Sequence, residues 1–368
     1  MGDLRVAVAV VGAGLTGTAT AWALARRGIS VALLEAYTIG HANGSSHGSS
    51  RIVRRAYPDP FYLRLTGQAN EAWARASEDT GVPLVRWTGA VDHGATRDPA
   101  GLAERFTAEG LACSLLTAGE AAERWPGMRF AGPVLYHPES GYLNADAAVH
   151  AFARRAAGLG TTVLENTRVT AITPVPSGAL VRTGDGPAVA ADTVVVAAGP
   201  WLPELGAVVP APLPPLTVTQ QQVFHFPFRD PSTAWPTSIH MGEVQVYALP
   251  SGSDGGARPA YKVAQHDGGV PTTATTRDRR IDPASRDLIV RYVRDFLPGL
   301  EPEPVAAASC LYTSTPDEDF VLDRVGPVVL ASPCSGHGAK FAAIIGEMTA
   351  ALALGDAAPE PRFSLGRF

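Results

Sequence analysis

The stretch "LRVAVAVVGAGLTGTATAWALARRGISVALLE", residues 4–35, decides how the rest of the chain is read. Residues 4–11 are an unbroken run of β-branched and alanine side chains, as expected of a strand buried on both faces. Gly12, Gly14 and Gly17 follow in G-x-G-x-x-G spacing, and an alanine-rich segment of helical period then runs to Gly28. A second apolar run closes on Glu35, eighteen residues after Gly17. This is a βαβ unit whose turn, through Gly12, Gly14, Leu15, Thr16 and Gly17, lets backbone close on a pyrophosphate at a helix N-terminus. A carboxylate at Glu35 suits a ribose diol and repels a 2′-phosphate. A lone glycine motif is weak, but strand, helix and acid together leave little room for a turn without a ligand. The spacing alone does not separate NAD from FAD.

Chain-wide properties narrow the class. The 368 residues suffice for two domains, and 46% hydrophobic with 18% charged residues is a soluble, folded composition. A net charge of -5 excludes a nucleic-acid platform, which needs a basic excess. Cys113, Cys310 and Cys334 are too few for a disulfide framework or a zinc cage, which points to a reducing compartment. The first apolar run stops at glycines, too short for a secretion signal or a membrane span. A cytoplasmic protein is expected.

Further along, residues 61–80 read as an amphipathic helix with Tyr62, Leu65, Ala69 and Trp73 on one face. Short strands and turns are expected to about 143, then a helix over 144–160 opened by Asn144. Residues 191–201 form another fully buried strand. Residues 211–270 alternate polar and apolar positions, predicting an antiparallel sheet with one wet face. A helix over 284–300 precedes a strand, a glycine turn and a long helix at the C-terminal end. The interleaving predicts an α/β fold: a Rossmann-like dinucleotide domain split over 1–86, 144–210 and 318–368. An α+β substrate domain, mainly antiparallel, takes 87–143 and 211–317.

Two stretches favour FAD over NAD. "DTVVVAAGPW" places Ala198, Gly199 and Trp201 where a second strand would approach the dinucleotide. "HANGSSHGSSRIVR", residues 41–54, offers Asn43, Gly44, Ser45, Ser50, Arg51 and Ile52 along an extended cofactor. Val169 is taken as a further contact.

These segments, with "VVGAGLTG", "CLYTSTPDEDF" and "SGHGAKFAAIIGE", resemble the monomeric sarcosine oxidase and N-methyltryptophan oxidase family. That family is part of the D-amino-acid-oxidase-like flavoproteins. The matches run in order from residue 5 to 347. The resemblance implies a GR2-type FAD domain and a cysteinyl thioether from Cys310 to the flavin 8α-methyl. It also implies oxidation of a secondary amino acid to an imine with O2 reduced to hydrogen peroxide, in a monomer that uses no nucleic acid or membrane partner. Arg54 and Lys340 correspond to substrate-carboxylate ligands, with Tyr247 and Tyr312 lining the substrate pocket. Lys262 corresponds to the oxygen-activating lysine, His266 to an active-site histidine, and Arg51 to the arginine over the flavin ring. Leu311, Gly336, His337, Gly338 and Lys340 complete the implied cofactor contacts. Cys310 without its flanking segment would read as a small buried thiol. In a strand, Lys262 and His266 share a face, which suggests one common pocket.

The chain departs from the family at Thr16 and at Ser49-Ser50, where Asp-Thr is common. Rival readings are a tailoring oxidase of a biosynthetic pathway, as in the nikkomycin-pathway relative, and a dehydrogenase using another acceptor. A silent nucleotide sensor would need neither Cys310 nor a basic pocket. A flavin monooxygenase would need a Gly-Asp pair at a strand end, whereas Gly355-Asp356 follows a helix.

Overall fold

The computed structural model describes residues 4–368. Strand Leu4–Val11 lies parallel between Val31–Leu34 and Val189–Val196, with Val11 beside both Leu34 and Val196. Thr162–Leu164 extends this sheet beyond Val31–Leu34, and Val328–Ser332 pairs parallel with Val189–Val196. Antiparallel strands Val169–Val175, Gly178–Thr183 and Val321–Val325 complete eight. Helix Leu15–Ala25 is buried on every side except at Thr16, as an apolar helix must be. It packs between helices Ala145–Gly158 and Ala342–Leu354. The Trp22 and Phe152 rings meet at 4.9 Å, and both side chains are fully buried. Truncating either would cost about 3–5 kcal/mol.

Helix Pro60–Thr80 begins where Asp59 accepts from Phe61 N–H and ends at Gly81 in a left-handed conformation. Tyr62, Leu65, Ala69 and Trp73 are all buried on its inner face. The Trp73 indole N–H also donates to Lys340 O at 2.6 Å, tying this helix to the C-terminal glycine turn.

A second sheet of nine strands runs from Ala90–His93 to Ala306–Ser314 and is mainly antiparallel. One face carries Phe224, Phe226, Val246, Tyr261 and Val263, which pack against Ile289, Val290 and Val293 of helix Pro283–Phe296. A third sheet joins Arg51–Val53, Gly141–Leu143 and Val85–Trp87.

Residues 87–143 differ from the strand-and-turn expectation. Helix Pro99–Ala108 is capped by Asp98, and Ala118–Arg124 by a Thr117–Glu120 capping box. Those local caps outweigh the weak apolar periodicity of two short helices.

Candidate active site

Four parallel strands deliver their carboxyl ends to one cleft, which Val11, Leu34, Val196 and Ser332 line. Ligands of open parallel sheets bind at this edge. Gly12 holds φ +98°, and a β-carbon there would press on Ala197 O, while one on Gly17 would strike Gly12 O. Only glycine supplies both the dihedral and the approach. Gly14, Leu15 and Thr16 line the cleft, and Leu15 N–H donates to Ser46 Oγ at 3.0 Å. Gly17 lies buried beneath the turn.

The Glu35 carboxylate accepts from Ala13 N–H at 2.8 Å and Tyr37 N–H at 3.0 Å, with His41 Nε2 at 3.2 Å. Burial pushes this carboxyl up, but the hydrogen bonds from His41, Ala13 and Tyr37 prevail and hold it below its ordinary range. Val169, Ala198, Gly199 and Trp201 form one wall, and Gly44, Ser45 and Ile52 another. Asn43 falls outside this cleft. Its Oδ1 accepts from Arg279 at 2.5 Å, and it lines a separate hollow with Tyr37, Trp201 and Thr275.

Strand register places the second sheet's contribution. Gln221 pairs with Cys310, Thr219 with Tyr312, His225 with Lys262, and Tyr247 with Ala264. Opposed residues share a face, so Cys310, Tyr312, Lys262 and Tyr247 all lie opposite the face packed on helix Pro283–Phe296. His266 sits one residue past its strand, and its N–H donates to Gln245 O at 2.7 Å, which keeps the alternation. The face expected to be wet is buried instead: Lys262 is 1% exposed, His225 1% and Cys310 6%. Its polar residues face a site and not bulk water.

Two cations define the far end. The Arg54 guanidinium carbon lies 4.3 Å over the Tyr57 ring, and Lys340 Nζ donates to Tyr57 Oη at 3.1 Å and His337 O at 2.6 Å. Among the described residues neither makes an ion pair. Burial, then Arg54, pushes the Lys340 ammonium well below its usual range. Burial, then Arg54 and Lys340, holds His266 at about 4, so its imidazole is neutral at pH 7. His266 Nδ1 lies 3.4 Å from Tyr312 Oη, and burial pushes Tyr247 up to about 12.

Lys262 is not on the cleft wall. Although it shares a face with His266, its Nζ donates to Asp254 Oδ2 at 2.8 Å and Ser50 O at 3.1 Å, so the two do not meet in a common pocket. Arg51 does line the cleft, donating to His47 O and to Ser50 O. Leu311, Gly336 and Gly338 also line it. His337 lines it too, with its ring bonded to Tyr57 Oη at 3.0 Å and Glu318 O at 3.1 Å. All three cysteines are free; Cys334 Sγ accepts from Thr313 N–H at 3.3 Å, and Cys113 packs against the core.

Sequence reasoning missed several groups. Asp254 sits in the glycine-serine turn "SGSDGG", where an acid reads as solvated. Tyr57 lies three residues past the motif at 41–54, where a tyrosine reads as a packed aromatic. Asp92 and Arg97 form a buried ion pair, and Arg97 donates to Ala56 O at 2.7 Å, the same carbonyl that Arg54 contacts. Only the fold brings residue 92 beside residue 56.

The model of the family described as FAD dependent oxidoreductase matches residues 7–352. The chain belongs to that family. It is 31% identical to peroxisomal sarcosine oxidase of Mus musculus, over 92% of this chain and 90% of that protein. It is 30% identical to N-methyl-L-tryptophan oxidase of Yersinia pestis (strain Pestoides F), over 98% of each. The solved structure of NikD, an amino acid oxidase essential for nikkomycin biosynthesis, shares the fold at TM-score 0.86 and 24% identity, with 98% of each chain covered.

The residues of this FAD-dependent oxidoreductase fit its cofactor. Ser45 and Ser332 line the cleft with buried hydroxyls that have no partner among the described residues, and the same holds for the buried Ser50 Oγ and His47 Nε2. Unpartnered buried polar atoms are rare in native proteins, and a ligand rich in acceptors accounts for a cluster of them. Among the described residues no helix is long and apolar enough to cross a membrane.

Proposed function

We propose that this chain oxidises the C–N bond of a secondary amino acid, N-methyl or cyclic, to an imine, with O2 leaving as hydrogen peroxide. The observation that carries this reading is the pair of cations lining the cleft, half-buried Arg54 and buried Lys340, which have no counter-ion among the described residues. Desolvated charge is costly unless a partner neutralises it, so the site calls for an anionic ligand. Arginine offers a fork to a carboxylate and lysine a point charge. His266, Tyr247 and Tyr312, neutral at pH 7, enclose the rest of the substrate. The surrounding cations disfavour a protonated amine, which leaves its lone pair available.

Bound FAD would supply the carrier for the two electrons taken from the C–N bond. The turn at Gly12, Gly14 and Gly17 would hold its pyrophosphate, Glu35 its ribose, and Arg51 its ring system. Arg51, on the cleft wall, and Lys262, bonded to the Ser50 carbonyl beside it, would be the cations that meet charge developing on oxygen. Cys310 would hold the cofactor through a thioether, and O2 would supply the two-electron oxidation that such a linkage requires. The dinucleotide domain takes 1–86, 144–210 and 318–368, and the chain acts as a cytoplasmic monomer.

A peroxide-release screen over N-methyl and cyclic amino acids tests the activity. Peroxide from at least one is expected; silence across the panel with FAD bound overturns it. Yellow fluorescence travelling with the denatured chain, and its loss in Cys310→Ser, tests the linkage. A second reading, a dehydrogenase using another acceptor, is favoured by one observation: Lys262 does not line the cleft. Dye reduction without O2 consumption would select it.

A further inference from the structure

We propose that Asp254 is a positioning residue that holds the Lys262 ammonium against the cofactor loop as a fixed cation. This rests on the reading of Lys262 as the cation on the oxygen side. The two loops are locked together. Asp254 Oδ1 accepts from Ser49 Oγ at 2.5 Å, its Oδ2 from Ser49 N–H at 3.3 Å, and its own N–H donates back to Ser49 Oγ at 3.0 Å. Lys262 closes the bridge by bonding Asp254 on one side and Ser50 O on the other. Its third N–H has no partner among the described residues.

A lysine only 1% exposed does not stay charged unaided. The groups facing it come from four further elements: Arg51 on its short strand, His47 in the loop before it, His225 on the neighbouring strand, and Cys310 beyond. Burial, with Lys262 itself pressing on it, holds His225 at about 4. Burial, then Arg51 and Arg277, holds His47 at about 3. Both are neutral at pH 7, so Arg51 is the fixed positive neighbour. Burial and then Arg51 push Lys262 down to about 8, and Asp254 is the main group opposing them. The Asp254 carboxyl, pressed upward by burial, is held well below its ordinary range chiefly by Lys262, and so stays an anion. Without that anion, Lys262 would give up its proton in the neutral range. The carboxylate thus sets the pH span over which the site keeps its cation.

The test compares wild type with Asp254→Asn, Asp254→Glu and Lys262→Met. After anaerobic reduction with dithionite, the rate of flavin reoxidation by O2 is followed from pH 6 to 10. The wild-type rate is expected to fall as pH rises through about 8, where the lysine deprotonates. Asp254→Asn should move that fall at least one unit lower, which is about a tenfold change in proton affinity, and Asp254→Glu should restore it. Lys262→Met should be slow and flat.

A second readout uses flavin-free protein, with every variant made in a Cys310→Ser background. A lysine whose folded pKa is depressed makes the unfolded chain bind more protons, so its contribution to stability rises with pH from about 8 toward the unfolded value. Relative to Lys262→Met, wild-type stability should climb above pH 8, and the same comparison in an Asp254→Asn background should begin its climb at lower pH. Unmoved profiles in Asp254→Asn, with Lys262→Met still slow, overturn the proposal and leave the oxygen role intact. An unchanged oxygen rate in Lys262→Met removes that role, and the apo-protein titration then decides the proposal alone.

Discussion

Lys340 and Lys262 are both lysines buried beside one cleft, 5% and 1% exposed, and the protein treats them in opposite ways. Among the described residues Lys340 has a phenol and a carbonyl as partners and no carboxylate; Lys262 has Asp254 at 2.8 Å. The first cation is left with charge unmatched, which a ligand carboxylate can complete. The second is already matched and needs no ligand to persist. A binding charge and a standing charge thus differ by one carboxylate, although side chain and burial are alike.

The largest expected effect lies on the unmatched side. Arg54→Ala should lower kcat/KM by about 100-fold, mostly through KM, because a charge-assisted contact to a carboxylate is worth about 1.5–3 kcal/mol. Arg54→Lys should recover only part of it, since the fork is lost. An unchanged KM would place the carboxylate elsewhere and erase the contrast.

Stability should then split the two lysines. In apo-protein, Lys340→Met removes a desolvated, unmatched cation and should stabilise by about 1–2 kcal/mol. Lys262→Met strands Asp254 and should destabilise by about 1–2 kcal/mol, the lower part of the range because that carboxylate is partly exposed. Urea midpoints of both variants, measured without FAD, check the signs; equal signs would break the comparison.

The smallest effect is expected at Tyr57, which serves the unmatched pair from below. Tyr57→Phe keeps the ring under Arg54 but removes the oxygen that Lys340 contacts, while His337 O still receives the ammonium. A loss of about 1 kcal/mol, near fivefold in substrate KM, follows. Tyr57→Ala should cost more, because Arg54 then loses its platform as well.

Local chemistry was readable from residue order. The strand, glycine turn, helix and acid of residues 4–35 are specified by neighbours in the chain, and so is the helix from Pro60. The short helices at Pro99–Ala108 and Ala118–Arg124 escaped because two or three turns carry little periodicity. The polar face of the second sheet was legible as polar but not as buried, since alternation tells which residues share a face and not what covers it.

The sequence by itself determined the dinucleotide-binding unit, the family resemblance and the kinds of charge available, because each depends on residues close together along the chain. Tertiary structure alone decided which charges are paired. Asp254 meets Ser49 across 205 positions, and Tyr57 meets Lys340 across 283. Electrostatic strength depends on separation in space and on access to water, and neither is written in residue order.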